Sequence, residues 1–567
     1  MIYHTFSFDN LPAHQLVPYL IDFVEQCAER HLPWHVCWLN NQGSPVVGLL
    51  PKKSWSVSPI TRPHNLKSSA LNVEVTVYNR PQDQASQAAT QMVTTQHMGY
   101  EQWISELIEY ATVHKKADNK AHNGGNYSAH SINKPHESCV YHNGLMGFIG
   151  YDIAAKALSP KSDIGLAEQP AAFLGHYDIY LTPTPQGWQL HTQPACPQQA
   201  INKVMTYLQA FEAQLSSRQQ KQLASPLLAL DPIWDVEGYR FAFEQTQHYL
   251  YQGDSYQINL TQKWQGQLPS ALHAQNDDSA KNHSPTQANA TSDTDTYFPS
   301  DSPIRLVNYL PQLHQQTQAP FAGYLCITQL TKQAKHSDIP APSGVHPFAA
   351  FELLSCSPEL FVWFDNDHQG QSQILTKPIK GTLPRGKTPE QDDTLKQQLA
   401  MSEKDKAENV MIVDLLRNDL GKYAQIGSVK VPKLFAIESF SNVHHMVSSI
   451  TATIKPEHHP LTVLFDSLPA GSITGTPKKR AVEIISELEV APRGAYCGTL
   501  GFMNFSGNGQ WNVLIRSLQA DHQGNVALWA GGGITVGSEC QSEYQECHDK
   551  VGNLRHILNP QPSKSTP

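Results

Sequence analysis

A chain of 567 residues, 40% hydrophobic and 16% charged, has the composition of a soluble globular protein and is long enough for about two to four domains with a sizeable core. Its formal net charge of −9 disfavours a nucleic-acid partner, and any small anionic ligand must therefore be met by local cations. No run of about 18 apolar residues occurs, so no membrane span is expected.

The opening MIYHTFSFDN lacks the basic and apolar stretches of a secretory signal, which predicts a cytoplasmic location. Helical periodicity follows in QLVPYLIDFVEQCAERH (15–31), and strand-like pieces come later in LMGFIGYD (145–152) and YDIYLTPT (177–184). These lie in a first block, residues 1–225, interrupted by a polar stretch at 114–138. The second block, residues 235–558, alternates helical periods (EGYRFAFEQTQHYLYQGD, AENVMIVDLLRNDLGKY, PKKRAVEIISELE) with β-rich runs (ESFSNVHHMVSSITATI, AYCGTLGFMNF, QWNVLIRSLQA, NVALWAGGGITV). Strands arriving in pairs between helices predict an α+β fold of packed antiparallel sheets flanked by helices, not a doubly wound parallel sheet. Two further polar stretches, 268–302 and 331–346, read as solvated loops without chemistry. The nine cysteines are odd in number and include no CxxC pair, which fits reduced thiols.

Most of the unusual residues fall in the second block. In CSPELF, Glu359 precedes an apolar run, and a carboxyl buried there would have a raised pKa and serve as a proton donor. In TKPIKGTLPRG, Lys380 stands between an isoleucine and a glycine, where the ordinary reading is a strand-end lysine whose stem packs on apolar surface. In SEKDKAENVMIVDLLRNDLGK, Ser402 has capping spacing to Asp405, and Asp405, Glu408 and Ile412 share one helix face. In ECQSEYQECHDKV, Glu543, Glu546 and Lys550 likewise share a face, so two helices each present acids of the kind a hard divalent cation takes. His445 alternates with Val443 and Val447 on one strand face, the usual place of a core histidine. In AGSITGTPKKRA, Thr476 is placed as N-cap and Pro477 as first residue of a helix. Arg516 interrupts an apolar strand in VLIRSL and calls for a carboxylate or phosphate partner. The glycines of WAGGGITVGS read as a turn whose backbone can approach an anion. Cys497 reads as a packed thiol.

Taken in order, PIKGTLPRG, AENVMIVDLLRNDLG, LPAGSITGTPKKRA, RGAYCGTLGF, IRSL, AGGGIT and SEYQECHDK resemble the chorismate-binding family. That family includes anthranilate synthase large subunits, isochorismate and salicylate synthases, and the first component of aminodeoxychorismate synthases. The resemblance covers residues 235–558, while residues 1–225 are more loosely similar, through GFIGYD, to the N-terminal region of anthranilate synthase component I. It implies that Glu408 and Glu546 ligate Mg²⁺, with Asp405 and Glu543 as nearby or outer ligands, and that the ion holds the ring carboxylate of chorismate. Arg516, Tyr496 and the backbone around Gly531 and Gly533 would bind the enolpyruvyl carboxylate, and Lys550, His445 and Ser472 would line the same cavity.

Within the family, anthranilate synthases carry PIAGT where this chain resembles the aminodeoxychorismate synthases in carrying PIKGT. The resemblance therefore implies that Lys380 is a nucleophile adding at C2 of chorismate while Glu359 protonates the departing C4 hydroxyl. An ordinary lysine leaves about one amine in 2,500 neutral at pH 7, a handicap of roughly 4.6 kcal/mol that a site of this kind must reduce. A separate glutaminase subunit would deliver ammonia, and a separate lyase would carry the product on to p-aminobenzoate for folate. The alternatives are an anthranilate synthase large subunit, against which Lys380 argues, and a non-catalytic subunit that senses chorismate or tryptophan.

Overall fold

The structure, a computed structural model, describes residues 4–27, 32–60, 71–80, 93–121, 139–217, 226–269, 304–328, 349–440 and 443–560. The expected loops at 268–302 and 331–346 lie almost wholly outside these residues. The stretch 114–138 enters them only at its start, where it continues the helix Tyr100–Ala121 instead of forming a loop. The reason is local packing: the His114 ring stacks on Phe505 and lies 4.2 Å from Tyr110.

Two sheets carry the fold. One runs in the order His4–Phe6, Gly187–Thr192, Ile179–Thr184, Val46–Gly48, Val36–Leu39, Gly323–Thr328, Ala349–Ser355, Ser517–Asp521, Asn525–Ile534, Gln257–Gln267, Asp231–Pro232, with Gly475–Thr476 also paired to Gln257–Gln267. The other runs Ile379–Pro384, Val443–Thr453, Ser372–Thr376, Leu360–Asn366, Gly509–Asn512, Thr499–Asn504, Gly144–Ile149, Ala172–His176, Lys53–Pro59, Asn72–Asn79, Val93–Gly99, with Lys430–Ser439 against Val443–Thr453. Neighbouring strands are antiparallel, as the sequence predicts. Between the sheets lies a core in which Cys37, Leu325 and Phe351 of the first meet Met146, Phe148 and Leu500 of the second; the Phe148 and Phe351 rings stack 5.4 Å apart. The helices cover the outer faces. Each sheet contains strands from both blocks, joined where Val36–Leu39 pairs with Gly323–Thr328 and where Gly144–Ile149 pairs with Thr499–Asn504.

Three local expectations change in the structure. The segment VLIRSL is not one strand: the chain leaves the second sheet after Asn512 and joins the first at Ser517, and Arg516 sits on the crossing with a left-handed φ of 52°. The three glycines 531–533 are not a turn but the end of the strand Asn525–Ile534. They are needed for close approach, since a Cβ on Gly531 would lie 2.2 Å from the Leu260 carbonyl oxygen and one on Gly533 2.3 Å from the Gln257 amide. The helix after TGTP begins at Lys478 with Pro477 as its N-cap, one residue later than expected, because Thr476 is held extended against Gln257.

A buried cation ties the blocks together. The Arg493 guanidinium, 1% exposed in its side chain, pairs in two bonds with Glu489 (2.7 and 2.8 Å). It also donates to the carbonyls of Ile473 and Asn259 and lies 4.6 Å from the Tyr151 ring. Next to it, the Asp152 carboxylate of the first block accepts the backbone N–H groups of Arg493 and Gly494. Removing one partner of such a pair leaves the other charge buried alone, at a cost of about 3–5 kcal/mol. Arg493→Met is therefore expected to lower the free energy of urea unfolding by about that amount; a loss under about 1 kcal/mol would show that the pair does not hold the blocks together.

Candidate active site

A cavity of about 550 Å³ opens where two sheet crossings meet the helices Glu403–Gly421 and Cys540–Leu558. All thirteen residues expected at the site line it: Glu359, Lys380, Asp405, Glu408, His445, Ser472, Tyr496, Arg516, Gly531, Gly533, Glu543, Glu546 and Lys550.

Glu359 lies on the crossing from the strand Ala349–Ser355 to the strand Leu360–Asn366. The crossing that carries Arg516 runs beside it. Val513 donates its N–H to the Glu359 carbonyl (3.0 Å), Ser357 Oγ donates to the Val513 carbonyl (2.6 Å), and Cys356 donates to the Arg516 carbonyl (3.0 Å). Glu359 is 6% exposed. Burial pushes its carboxyl up to about 7, against the opposing pull of the Lys380 ammonium and hydrogen bonds from Ile379 and Ser472. Such a group still holds a proton near neutral pH.

Lys380 projects from an irregular strand. Ile379 pairs with Val447 and Thr382 with His445, so three steps on one strand face two on the other and an extra residue bulges at Lys380–Gly381. Gly381 has φ 79°, and a Cβ there would lie 2.8 Å from the Asp405 carboxyl carbon, so glycine is required on both counts. The Lys380 ammonium reaches to 3.6 Å from Glu408 Oε2. Beside it Thr382 Oγ1 and His445 Nδ1 are 2.8 Å apart, and burial, with Arg516 adding to it, pulls the imidazole down to about 4, so the ring is neutral at pH 7.

The helix Glu403–Gly421 starts as predicted, with the Ser402 side chain accepting from the Asp405 N–H. Glu408 from this helix faces Glu543 and Glu546 from the other, closely enough that Glu546 and Glu408 add to the upward push that burial gives Glu543. Ser538 donates to Glu543 at 2.7 Å, and Gly532 leaves room for that carboxylate, since a Cβ would lie 2.7 Å from its Oε2. Burial opposes ionisation of Glu546, but Lys550 at 2.7 Å overcomes it and holds the group below the usual range. Each of the three acids thus faces a lysine: Lys380 at Glu408, Lys404 at 3.9 Å from Glu543, Lys550 at Glu546. Among the described residues no three acidic, imidazole or thiol groups converge as a ready ligand set. The donors offered are nonetheless all carboxylate oxygens whose mutual repulsion a cation would relieve, which is the chemistry that suits Mg²⁺.

No described carboxylate lies within ion-pairing distance of the Arg516 guanidinium, although Glu359 acts on it through space. Tyr496 stacks on Trp529 (5.9 Å between centroids, 10° between planes), and Lys550 Nζ donates to the Gly531 carbonyl at 2.6 Å. The cavity therefore presents acids with their lysines together with an arginine that no described carboxylate pairs. Sequence reasoning missed Lys404, Thr382 and Trp529. Lys404 precedes Glu408 by one helical turn, a spacing that could have revealed it. The contact of Trp529 with Tyr496 joins residues distant in the chain and has no local signal.

A family model described as chorismate binding enzyme matches residues 74–323 and 312–556. The aminodeoxychorismate synthase component 1 of Escherichia coli K12 is 36% identical over 426 residues, 74% of this chain and 77% of that protein. The anthranilate synthase component 1 of Methanothermobacter thermautotrophicus is 40% identical over only 213 residues, 37% of this chain and 45% of its own. Among solved structures, anthranilate synthase component I from Streptococcus pneumoniae TIGR4 superposes with a TM-score of 0.59 at 19% identity, covering 90% of this chain and 91% of that one. The chain belongs to the chorismate-binding enzyme family.

Proposed function

We infer that this cavity binds chorismate and replaces its C4 hydroxyl with ammonia to give 4-amino-4-deoxychorismate. The observation that carries the reading is the convergence of Lys380 and the buried Glu359 on one cavity, with the Glu359 carboxyl pushed up to about 7. The Escherichia coli relative, matched over most of both chains, is an aminodeoxychorismate synthase component 1, which supports the choice of reaction within the family. Its designation as one component also supports a separate glutaminase subunit as the source of ammonia, with p-aminobenzoate and folate as the metabolic destination.

In this reading the neutral Lys380 amine forms a bond to C2 of chorismate, the two conjugated ring double bonds shift from C1=C2 and C5=C6 to C1=C6 and C4=C5, and the C4–O bond breaks. Glu359 gives its proton to the departing oxygen, which leaves as water. Ammonia then bonds to C4, both double bonds shift back, the C2–N bond breaks to release the neutral lysine, and the Glu359 carboxylate recovers its proton from the new C4 ammonium. Two displacements of moderate difficulty replace one hard one. Arg516 grips the enolpyruvyl carboxylate, with Tyr496 and the backbone at Gly531 and Gly533 beside it, while Ser472 orients Glu359 through a 3.4 Å hydrogen bond. His445, held neutral, and Lys550 complete the wall. Glu408 and Glu546 would hold Mg²⁺, with Glu543 and Asp405 around them, and the bound ion would neutralise the ring carboxylate of the substrate.

Purified protein supplied with chorismate, Mg²⁺ and ammonium is expected to form aminodeoxychorismate, identified by mass spectrometry, and to stop when the metal is chelated. Anthranilate as the product would overturn the reading. Lys380→Ala is expected to lower kcat by at least about a thousandfold.

Glu359→Gln is expected to lower kcat by about 10²–10⁴-fold. It also has a thermodynamic signature. The Glu359 carboxyl has its folded value raised from 4.5 to about 7, so the folded state holds the proton longer and wild-type stability falls as pH rises through that window. Gln removes the slope, so the variant should gain on wild type by about 3 kcal/mol between pH 4.5 and 7 and no further above it. A stability difference between the two proteins that does not change with pH would show that Glu359 is not a buried proton carrier.

A further inference from the structure

The chain after Lys380 is fastened by a carboxylate that does not touch the cavity. Asp392 lies in the first turn of the helix Pro389–Met401, capped by Thr388. Its Oδ1 accepts from Arg385 Nε (2.7 Å) and from the Gly386 N–H (2.8 Å), and its Oδ2 accepts from Arg385 Nη2 (2.8 Å). The same Oδ1 is 3.0 Å from His444 Nε2, and the other ring nitrogen of His444 is 2.8 Å from Ser439 Oγ. Arg385 Nη1 reaches on to the Phe440 carbonyl at 2.8 Å. The Arg385 bonds above all, then the Gly386 N–H, hold the Asp392 carboxyl well below the usual carboxylate range. One carboxylate thus joins the end of the lysine strand to a helix and to both strands of the hairpin that flanks it.

The strand that these bonds secure is irregular. Between Ile379 and Thr382 the ladder slips by one residue, so Lys380 and Gly381 are held by their ends and not by regular pairing. Upstream the anchor is Ile379 against Val447; downstream the ladder resumes at Thr382, Leu383 and Pro384, against His445, His444 and Val443. Proline gives no N–H to that ladder, so the downstream anchor needs help from side chains. His444 faces both: its backbone pairs with Leu383 and its ring meets Asp392.

We propose that Asp392, with Arg385 and His444, is a positioning group for Lys380: the clamp closes the bulge from its far end and so aims the lysine into the cavity. The proposal rests on the reading of Lys380 as nucleophile. None of the three clamp residues lines the cavity, so their effect on the reaction runs through the strand. Misplacing a reacting group by about 1 Å can cost on the order of a hundredfold in rate without altering how the rest of the site binds substrate.

The test is a double-mutant cycle on the full chain, with chorismate, Mg²⁺ and ammonium as substrates and product read by mass spectrometry over hours. Asp392→Asn is expected to lower kcat tenfold to a hundredfold while the KM for chorismate changes less than threefold. On a Lys380→Ala background the same change should have no further effect on the residual rate, because its route to the chemistry is already gone. Arg385→Lys, which keeps the charge but loses the two-pronged grip, should reproduce the kcat loss in part, and it carries the test should Asp392→Asn fail to fold. A raised KM at constant kcat, or losses that multiply with Lys380→Ala, would overturn the clamp while leaving the lysine assignment in place. Full activity in Lys380→Ala alone would instead remove the assignment on which the clamp depends.

Discussion

Two chain segments cross between the sheets side by side, and the site depends on their mutual hydrogen bonds. The crossing at 356–359 and the crossing at 513–516 exchange three bonds, from Cys356, Ser357 and Val513. A crossing leaves backbone groups without a ladder, and buried groups of that kind must find partners. Here each crossing supplies the other's. The consequence is that the Glu359 acid and the Arg516 cation are fixed to one another by main chain before any side-chain contact is counted. Arg516 adopts φ 52°, a left-handed conformation unfavourable to a residue with a Cβ, and a packed crossing can hold it there.

Charge in the cavity is arranged by neighbours as much as by depth. Glu359 is a buried acid whose burial raises its pKa; Glu543 is buried as deeply, but it, Glu408 and Glu546 are met by lysines or repel one another. A dianion entering an acidic protein needs cations fixed at the separation of its own charges. In the proposed reading, Arg516 on its crossing and the carboxylate cluster, were it to hold a divalent ion, would supply two such points. The lysines that face the acids are long and flexible, with Lys550 also bonded to a carbonyl, that of Gly531, so they can yield their partners at lower cost than a buried guanidinium such as Arg493, locked by Glu489 and two carbonyls.

The sequence carried the site well and the topology only in part. Residues on one helix face, such as Asp405 with Glu408 and Glu543 with Glu546, were legible because helical spacing is local. That the two helices meet at one cavity was not, because nothing local records which helices face each other; the resemblance to a family supplied it. The same limit explains the misread glycines 531–533. A glycine run is ambiguous between a turn and a strand under close approach, and the carbonyl of Leu260 and the amide of Gln257, which decide it, lie some 270 residues earlier. Arg516 is anomalous inside its apolar run, but the anomaly marks a crossing between two strands and not one strand with a guest. Periodicity cannot distinguish the two when both flanks are buried in different sheets.

Glu359 and Lys380 differ in how they are held, and the difference matches the work each is given. In the proposed reaction Glu359 must keep its proton near neutral pH, which needs an environment that does not relax around its charge; a packed crossing is such an environment, and burial there outweighs the Ser472 hydrogen bond, which favours the ionised form. Lys380, in the same proposed reaction, forms and then releases a bond, and must move with the substrate carbon over a fraction of an ångström and return. A long side chain on a bulge, free of the ladder at its own residue but pinned on both sides, permits that motion and limits it. Regular pairing through residue 380 would have fixed the lysine to one face of the sheet, and a free loop would have left its reach undefined. The bulge with anchored ends is the intermediate case, and Gly381, whose φ of 79° and missing Cβ make room for Asp405, is what allows the chain to adopt it.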